Sequence, residues 1–80
     1  MIENKRISLG EAVDTVQTFF MTQCLGAIGH WEIIELYEDN ERGIIVVKCG
    51  ERCKDDTEIR RHTAWVNIST GKIDRIVSFE

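Results

Sequence analysis

Residues 49–53 are the part of the sequence best suited to chemistry. They read Cys-Gly-Glu-Arg-Cys, which places two thiols four positions apart across a glycine. Such a pair can close a disulfide or bind a metal, and His62 and His30 are the residues that would complete a zinc site. The spacing is wider than the common Cys-x2-Cys knuckle, and no second close pair follows. We therefore favour a plainer arrangement in which Cys49 ends a strand as a small buried side chain and Cys53 lies in a loop.

The chain has three cysteines, an odd number that leaves at least one thiol unpaired within a single chain. Cys24 falls on the apolar side of a predicted helix, and we expect it to be a core residue. Reduced thiols are the simpler prediction, and they suit a cytoplasmic protein. The start of the chain lacks the apolar run of a secretory signal, and no segment approaches the ~20 apolar residues of a membrane span. If Met1 is the native start, the sequence predicts a cytoplasmic location away from membranes.

The two histidines are also the residues that could act as general bases. Catalysis would require a nucleophile or substrate proton within hydrogen-bond reach, and the sequence indicates neither an oriented triad nor paired carboxylates at useful spacing. His30 lies in a Gly-His-Trp connection and is typical of a turn. His62 lies among Glu58, Arg60 and Arg61, and we expect it to occupy a solvated or edge position. We predict that the protein is not an enzyme and carries no cofactor.

A basic and aromatic surface is the third candidate feature. It would combine the Arg-Arg-His run at residues 60–62 with Lys72, Arg75 and Trp65. Arginine and tryptophan commonly anchor protein interfaces, and such a surface can also stack single-stranded nucleic acid. The net charge of −4 disfavours nucleic acid and favours a protein partner. The plainer alternative, which we favour for the charged residues as a set, is a strand face with weak cross-strand charge pairs.

The elements that must position these residues begin with a helix over about residues 9–25. Ser8 and Glu11 have the spacing of a capping box. Apolar residues then recur at three- and four-residue steps as one stripe: Leu9, Ala12, Val13, Val16, Phe19, Phe20 and Cys24. Gly26 and Gly29 supply stop signals for this helix. An isolated helix of this length is marginal in water, so the stripe must pack on another element.

Four β-rich runs follow, at about residues 31–37, 44–49, 58–68 and 72–79. Turns rather than crossover helices separate them, which predicts an antiparallel meander. Ile33 and Ile34 interrupt the alternation of the first run, which indicates a bulge or a strand contacted on both faces. The last turn reads Ser-Thr-Gly-Lys, and Gly71 can take the positive φ that such a turn requires.

The predicted fold is therefore α+β, with one N-terminal helix packed on a four-stranded antiparallel meander sheet. Residues 1–80 form a single domain, in which residues 1–6 are expected to be frayed. The alternation of the third strand places Ala64, Val66 and Ile68 on one face and Trp65 on the other. No helix is available to cover that second face.

Three segments resemble PepSY and PepSY-like domains. They are residues 7–13 (Ile-Ser-Leu-Gly-Glu-Ala-Val), 31–33 (Trp-Glu-Ile) and 65–73 (Trp-Val-Asn-Ile-Ser-Thr-Gly-Lys-Ile). They match that family's helix start with an Ala-Val pair, its Trp-led strand and its final hairpin around a Thr-Gly-Lys turn. The resemblance implies a cystatin-like helix on an antiparallel sheet and a non-catalytic role in inhibition or protein binding. The small gas vesicle protein O family has a similar helix-plus-sheet outline.

The chain departs from the PepSY pattern in two ways. Asn67 and Ser69 stand where an acidic residue is common in the family. Family members also usually lie outside the cytoplasm behind a signal or membrane helix, and the sequence suggests none here.

These observations predict a small non-enzymatic interaction or structural module. Homodimerisation through the open sheet face or a free strand edge would relieve the small core of an 80-residue chain. The interaction residues we single out are Trp65, Arg61 and Arg75, with Trp31 as a weaker candidate. The alternative is a small-ligand or metal-binding domain that uses Cys49, Cys53 and His62.

Overall fold

The computed structural model of the chain describes residues 6–79 and contains one helix followed by four strands. The elements are α1 (Leu9–Gln23), β1 (Ile28–Asp39), β2 (Ile44–Cys53), β3 (Arg60–Asn67) and β4 (Ile73–Phe79). The strands form one antiparallel sheet in the order β1-β2-β3-β4. The predicted α+β fold is confirmed. The predicted fraying covers residues 1–6, and residues 1–5 of these lie outside the described part of the chain.

Helix α1 begins at the predicted capping box. The Glu11 N–H donates to Ser8 Oγ at 3.1 Å, and the Ser8 N–H donates to Glu11 Oε1 at 3.0 Å. Two of the otherwise unpaired N–H groups at the helix start are thereby satisfied. The apolar stripe then packs Ala12, Val16 and Phe20 onto the sheet, where all three are buried.

The helix ends two residues before the predicted boundary, at Gln23. The Gly26 N–H donates to the carbonyl of Met21 at 2.7 Å, and the Leu25 N–H donates to that of Thr22 at 3.1 Å. This pair of bonds is a Schellman motif, which satisfies carbonyls at a helix end. Leu25, rather than a glycine, takes the left-handed position directly after the cap, with φ of 54°. The stop therefore comes one residue before the predicted Gly26.

One face of the sheet and the stripe of α1 together enclose the core. The sheet contributes Ile45, Val47, Cys49, Ala64, Val66 and Ile68. The alternation predicted for β3 is thus confirmed, since Ala64, Val66 and Ile68 all face the helix. Each large aliphatic side chain buried in this way contributes about 1.5–3 kcal/mol to stability.

The strands are placed as predicted but differ in length. In β1 the register shifts between Ile33 and Glu35, which confirms the predicted irregularity. β2 continues to Cys53 through a segment predicted to be a loop. Gly50 and Glu51 pair with both β1 and β3, and Arg52 and Cys53 pair with β1. Gly29, predicted as a helix stop, lies within β1. Gly71 takes a φ of 72° in the last turn, as expected.

Candidate functional site

The face of the sheet that α1 does not cover, called here the open face, carries three of the four predicted interaction residues. Its cross-strand rows, taken from β1 to β4, are Tyr37, Val46, Trp65 and Arg75; then Glu35, Lys48, Thr63 and Val77; then Glu32, Gly50, Arg61 and Phe79. Paired residues of an antiparallel sheet share a face, so these side chains are neighbours. Trp65, Arg61 and Arg75 therefore lie on one surface.

The first row forms an apolar centre on the open face. Val46 is only 2% exposed although α1 does not cover it, because its cross-strand neighbours are Tyr37 and Trp65. The Arg75 guanidinium lies 5.2 Å from the centroid of the Trp65 ring, within the range of a cation–π contact. Tyr37 itself is 44% exposed, and Val77 in the next row is also exposed. The centre thus presents aromatic and aliphatic surface to solvent.

Charges are distributed unevenly across the open face. Glu32 and Glu35 project from β1, whereas Arg61 and Arg75 project from β3 and β4. Lys48 lies between the two sides and forms an ion pair with Glu35 at 3.1 Å. The open face is therefore acidic on the β1 side and basic on the β4 side.

Trp31, the fourth predicted interaction residue, does not belong to this surface. It pairs in register with Glu51 on the helix-facing side of the sheet. Its ring lies 6.4 Å from that of Phe20 and packs against the core. The register shift in β1 comes after Ile33, so it does not change the face on which Trp31 lies relative to Glu51. Trp31 acts as a packing residue of the helix–sheet layer.

A polar cluster of Glu51, Arg60, His62 and Ser78 lies on the helix-facing side of the sheet. His62 Nε2 is 2.8 Å from Glu51 Oε2, and His62 Nδ1 is 2.9 Å from Ser78 Oγ. The Arg60 guanidinium donates to both oxygens of Glu51, from Nε at 3.0 Å and from Nη2 at 3.3 Å. Glu51 is 2% exposed and His62 is 6% exposed, with the imidazole stacked on Phe20 at 4.3 Å.

The prediction of a solvated or edge position for His62 is therefore wrong, because the residue is buried and β3 lies between β2 and β4. The charged residues beside it in sequence point elsewhere or lie at the strand end, while the alternation of β3 continues backward from Ala64 to His62. The same alternation places Glu51 two residues beyond Cys49 on the helix-facing side of β2. A one-step extension of the predicted core pattern would have found both residues.

The ionisation of the cluster follows from its contacts. Burial alone would raise the pKa of Glu51, but hydrogen bonds and charges from Arg60 and His62 outweigh burial and hold that pKa below the usual 4.5. The same contacts raise the pKa of Arg60. Glu51 is accordingly a carboxylate at neutral pH, and Arg60 is its cationic partner.

The serine, histidine and carboxylate of the cluster are bonded in the order of an acyl-transfer triad, with the imidazole between the other two groups. The arrangement also has a structural purpose. Among residues 6–79, every buried side-chain nitrogen or oxygen has a hydrogen-bond partner. A buried network that is fully paired without substrate meets the requirement of a stable core.

A disulfide joins Cys24, at the end of α1, to Cys53, at the end of β2. The two Cα atoms are 5.2 Å apart and the residues are separated by 29 positions in sequence. Cys24 is buried, as expected, but the prediction of reduced thiols is wrong in this structure. Cys49 is a free, buried thiol, and burial, followed by the charge of Glu51, raises its pKa to about 12.

The predicted metal set of Cys49, Cys53 and His62 is not brought together as a site. The sulfur of Cys53 is bonded to Cys24, and Cys49 lies in the core. In the described part of the chain, the atoms close enough to share an ion belong to Cys24, Glu51 and Cys53, within 4.8 Å of one another. A disulfide offers no thiolate to a metal, and the Arg60 cation adjoins both Glu51 and Cys53.

His30 adjoins the acidic side of the open face and lies apart from the polar cluster. It occupies β1 rather than the predicted turn, and its Nε2 is 2.6 Å from Glu32 Oε1. No helix within residues 6–79 has the length and apolar character needed to cross a bilayer.

Comparison with known proteins found no match: no family model, no curated protein and no solved structure matches this chain. The resemblance to PepSY-like domains therefore stays a prediction.

Proposed function

We propose that the protein is a non-enzymatic interaction module that pairs with a second copy of itself through the open face of its sheet. The observation that supports this most directly is the apolar centre formed by Tyr37, Val46 and Trp65 on the face that α1 leaves uncovered. An apolar patch framed by charged residues is typical of an interaction surface.

The charge distribution favours a second copy as the occupant. A two-fold axis parallel to the strands, lying between two facing sheets, sets the β1 side of each chain over the β4 side of the other. The acidic pair Glu32 and Glu35 then faces the basic pair Arg61 and Arg75 twice in the same interface. A two-fold interface must be self-complementary in this way.

Size supports the same conclusion. A chain of 80 residues buries a smaller fraction of its surface than a large domain does. Contact between two open faces would extend apolar burial beyond the single helix–sheet core, and it would stabilise the folded chain by mass action. Trp65 would lie near the centre of this contact and Arg75 beside it, which are the residue types that dominate interface energies.

Light scattering over a wide dilution series tests the proposal. The wild-type protein should have the mass of two chains and dissociate on dilution. Trp65→Glu should raise the dissociation constant about thirtyfold or more, as expected for an interface hot spot. Met21→Glu is the matched control, because it places the same charge on an exposed apolar residue of α1. A wild-type monomer at all concentrations contradicts the proposal.

Charge reversal tests the orientation. Arg75→Glu should weaken the dimer, and the double substitution E35R/R75E should restore much of the lost affinity by exchanging the signs across the interface. Circular dichroism confirms that each variant is folded. If the double variant is weaker than Arg75→Glu alone, the two-fold arrangement is wrong.

One observation favours a second function, acyl transfer. Ser78 is an exposed residue bonded to His62, beside a cavity of about 380 Å³ partly lined by Phe19 and Phe20. Turnover of p-nitrophenyl acetate by the wild type and its loss in Ser78→Ala would establish this function. Equal rates for the two proteins would leave the cluster with its structural role.

We further propose a cytoplasmic location, which the disulfide makes testable. Thiols are normally kept reduced in the cytoplasm. Alkylation of the protein in its native host before lysis should therefore trap a substantial fraction with free Cys24 and Cys53. Complete oxidation of this pair in the host would place the protein in an oxidising compartment instead.

A further inference from the structure

The disulfide lies at the junction of the two layers, and its two sulfurs have different surroundings. Cys24 is buried at the helix end, whereas Cys53 is partly exposed at the end of β2. Both line a shallow pocket of about 370 Å³. The pocket is open to solvent next to Leu25, which is 94% exposed and supplies an apolar rim. An external sulfur can approach the bond from this side.

Charged groups of both signs surround the two sulfurs: Arg60 is basic, and its partners, Glu51 and the pocket residue Asp56, are acidic. The Arg60 guanidinium donates from Nη2 to Cys53 Sγ at 3.5 Å, and Glu51 Oε1 lies 3.8 Å from Cys24 Sγ. A neighbouring cation stabilises a thiolate, and a neighbouring anion disfavours one. On reduction, Cys53 would therefore carry the negative charge and Cys24 the proton.

We propose that the Cys24–Cys53 disulfide is a thiol–disulfide exchange site for a dithiol reductant, in which Cys53 is the sulfur attacked. Arg60 and Glu51 act as positioning residues. The Glu51 carboxylate lies within 4.8 Å of both sulfurs, and Arg60, which contacts Cys53 Sγ, offsets that negative charge at Cys53. The proposal is independent of the self-association through the open face, because the pocket lies on the helix-facing side of the sheet.

The exchange proceeds in two balanced steps. A thiolate of the dithiol attacks Cys53 Sγ, because Cys53 is the more exposed of the two sulfurs and Arg60 beside it attracts the incoming anion. The disulfide breaks and its electron pair passes to Cys24 Sγ, which takes a proton from water because Glu51 disfavours a thiolate there. The second thiol of the reductant loses its proton to water and attacks the reductant sulfur of the mixed disulfide. The reductant leaves as a disulfide and Cys53 is released as a thiolate beside Arg60. Two electrons pass to the protein and no net proton is released, because the reductant enters with one thiolate and Cys53 is left as one thiolate.

A metal site is the competing use of the same atoms once the disulfide is reduced. The position of Arg60 disfavours a metal ion here, because its guanidinium already bonds both oxygens of Glu51 and contacts Cys53. A divalent cation at this point would have to displace a paired cation from a buried carboxylate. The same arginine favours a thiolate, so the contacts fit exchange better than ligation.

The first experiment measures the reactivity of Cys53. In a Cys24→Ser/Cys49→Ala background, Cys53 is the one thiol of the chain, and its alkylation by iodoacetamide is followed across pH. We expect the midpoint to lie below that of glutathione measured alongside. Arg60→Gln should raise the midpoint and slow alkylation at neutral pH about tenfold, as expected for loss of one adjacent cation. Arg60→Lys, which keeps the charge, should recover part of the rate.

The second experiment follows reduction of the oxidised wild-type protein by dithiothreitol, read by mass after alkylation. Reduction should be faster than global unfolding, which is measured separately in denaturant. Arg60→Gln should slow it, and Arg42→Gln, a loss of the same charge in the distant β1–β2 turn, should not. Reduction only at the unfolding rate, or equal rates for the two variants, would overturn the proposal and identify a structural disulfide. Light scattering on the same samples keeps this result separate from self-association.

Discussion

Glu51 remains charged inside the protein because its two oxygens accept three hydrogen bonds. Two come from Arg60 and one from His62, whose other ring nitrogen is bonded to Ser78. A buried carboxylate without such partners would cost several kcal/mol. Each member of the polar cluster is therefore needed by the others, and removing one leaves its partners incompletely paired.

The lowered pKa of Glu51 predicts how stability depends on pH. The unfolded chain binds a proton at this carboxyl near pH 4.5, while the folded protein resists protonation until lower pH. The carboxylate therefore stabilises the fold above about pH 4.5, and this contribution is lost as the pH falls through the folded-state pKa. Denaturant unfolding from pH 7 to pH 3 should show this loss. Glu51→Gln should lower stability at pH 7 by about 2 kcal/mol and flatten the acid slope.

The comparison of wild type with Glu51→Gln across pH can also contradict this prediction. Many carboxylates contribute to acid unfolding, so the informative quantity is the difference between the wild type and Glu51→Gln. Parallel stability curves for the two proteins would show that Glu51 titrates alike in the folded and unfolded states, contrary to the contacts described for it.

At the scale of elements, local signals predicted well and distant contacts did not. The Ser8 and Glu11 capping box and the irregularity after Ile33 are set by residues close together in sequence, and both predictions are confirmed. The disulfide joins residues 29 positions apart, which only the packing of α1 on β2 brings together. No spacing rule relates Cys24 to Cys53, so the sequence could not indicate their bond.

The length of β2 explains most of the missed site. The sequence prediction ended this strand at Cys49, because Gly50 and the charged residues after it are typical of a loop. Pairing on both sides keeps Gly50 and Glu51 in the sheet. The helix-facing alternation then continues from Cys49 to Glu51 and Cys53, which brings the carboxylate and the sulfur to the end of α1.

Substitution by alanine should have opposite effects on stability at Gly29 and at Gly10, because the space around the two glycines differs. A Cβ at Gly29 would lie 2.9 Å from the Cα of Lys54, whose N–H donates to the carbonyl of Ala27 nearby. Backbone would have to move, so Gly29→Ala should destabilise by about 1–3 kcal/mol. A Cβ at Gly10, in α1, would meet only Ser8 Oγ at 3.9 Å. Gly10→Ala should stabilise by about 0.5–1 kcal/mol, because alanine favours the helix.

Thermal unfolding of the two alanine variants, each compared with the wild type, measures both effects. The Gly10→Ala protein is the control for a general effect of reduced backbone freedom. Stabilisation by both substitutions would mean that β1 and the end of β2 can separate near Gly29 without cost, and the close approach of these segments would then be wrong.

For the whole molecule, the disulfide is a covalent link between the helical layer and the sheet. Elsewhere α1 is held by its apolar stripe and by the hydrogen bond from the Ile7 N–H to the carbonyl of Ile68. These contacts secure the beginning and middle of the helix, and the bond between Cys24 and Cys53 secures its end. Opening the disulfide therefore removes the constraint at the helix terminus that adjoins the polar cluster.

The size of that constraint can be predicted from the loop it closes. With 29 positions between the cysteines, loss of the cross-link should lower the free energy of unfolding by about 3–4 kcal/mol. Small domains have total stabilities of about 5–15 kcal/mol, so the change is a large fraction of the whole. Urea unfolding of Cys24→Ala/Cys53→Ala and of the reduced wild type should both show it. Cys49→Ala should retain the response to reductant, since its thiol takes no part in the bond. Equal midpoints for the oxidised wild type and the double variant would show that packing alone holds the end of α1 against β2.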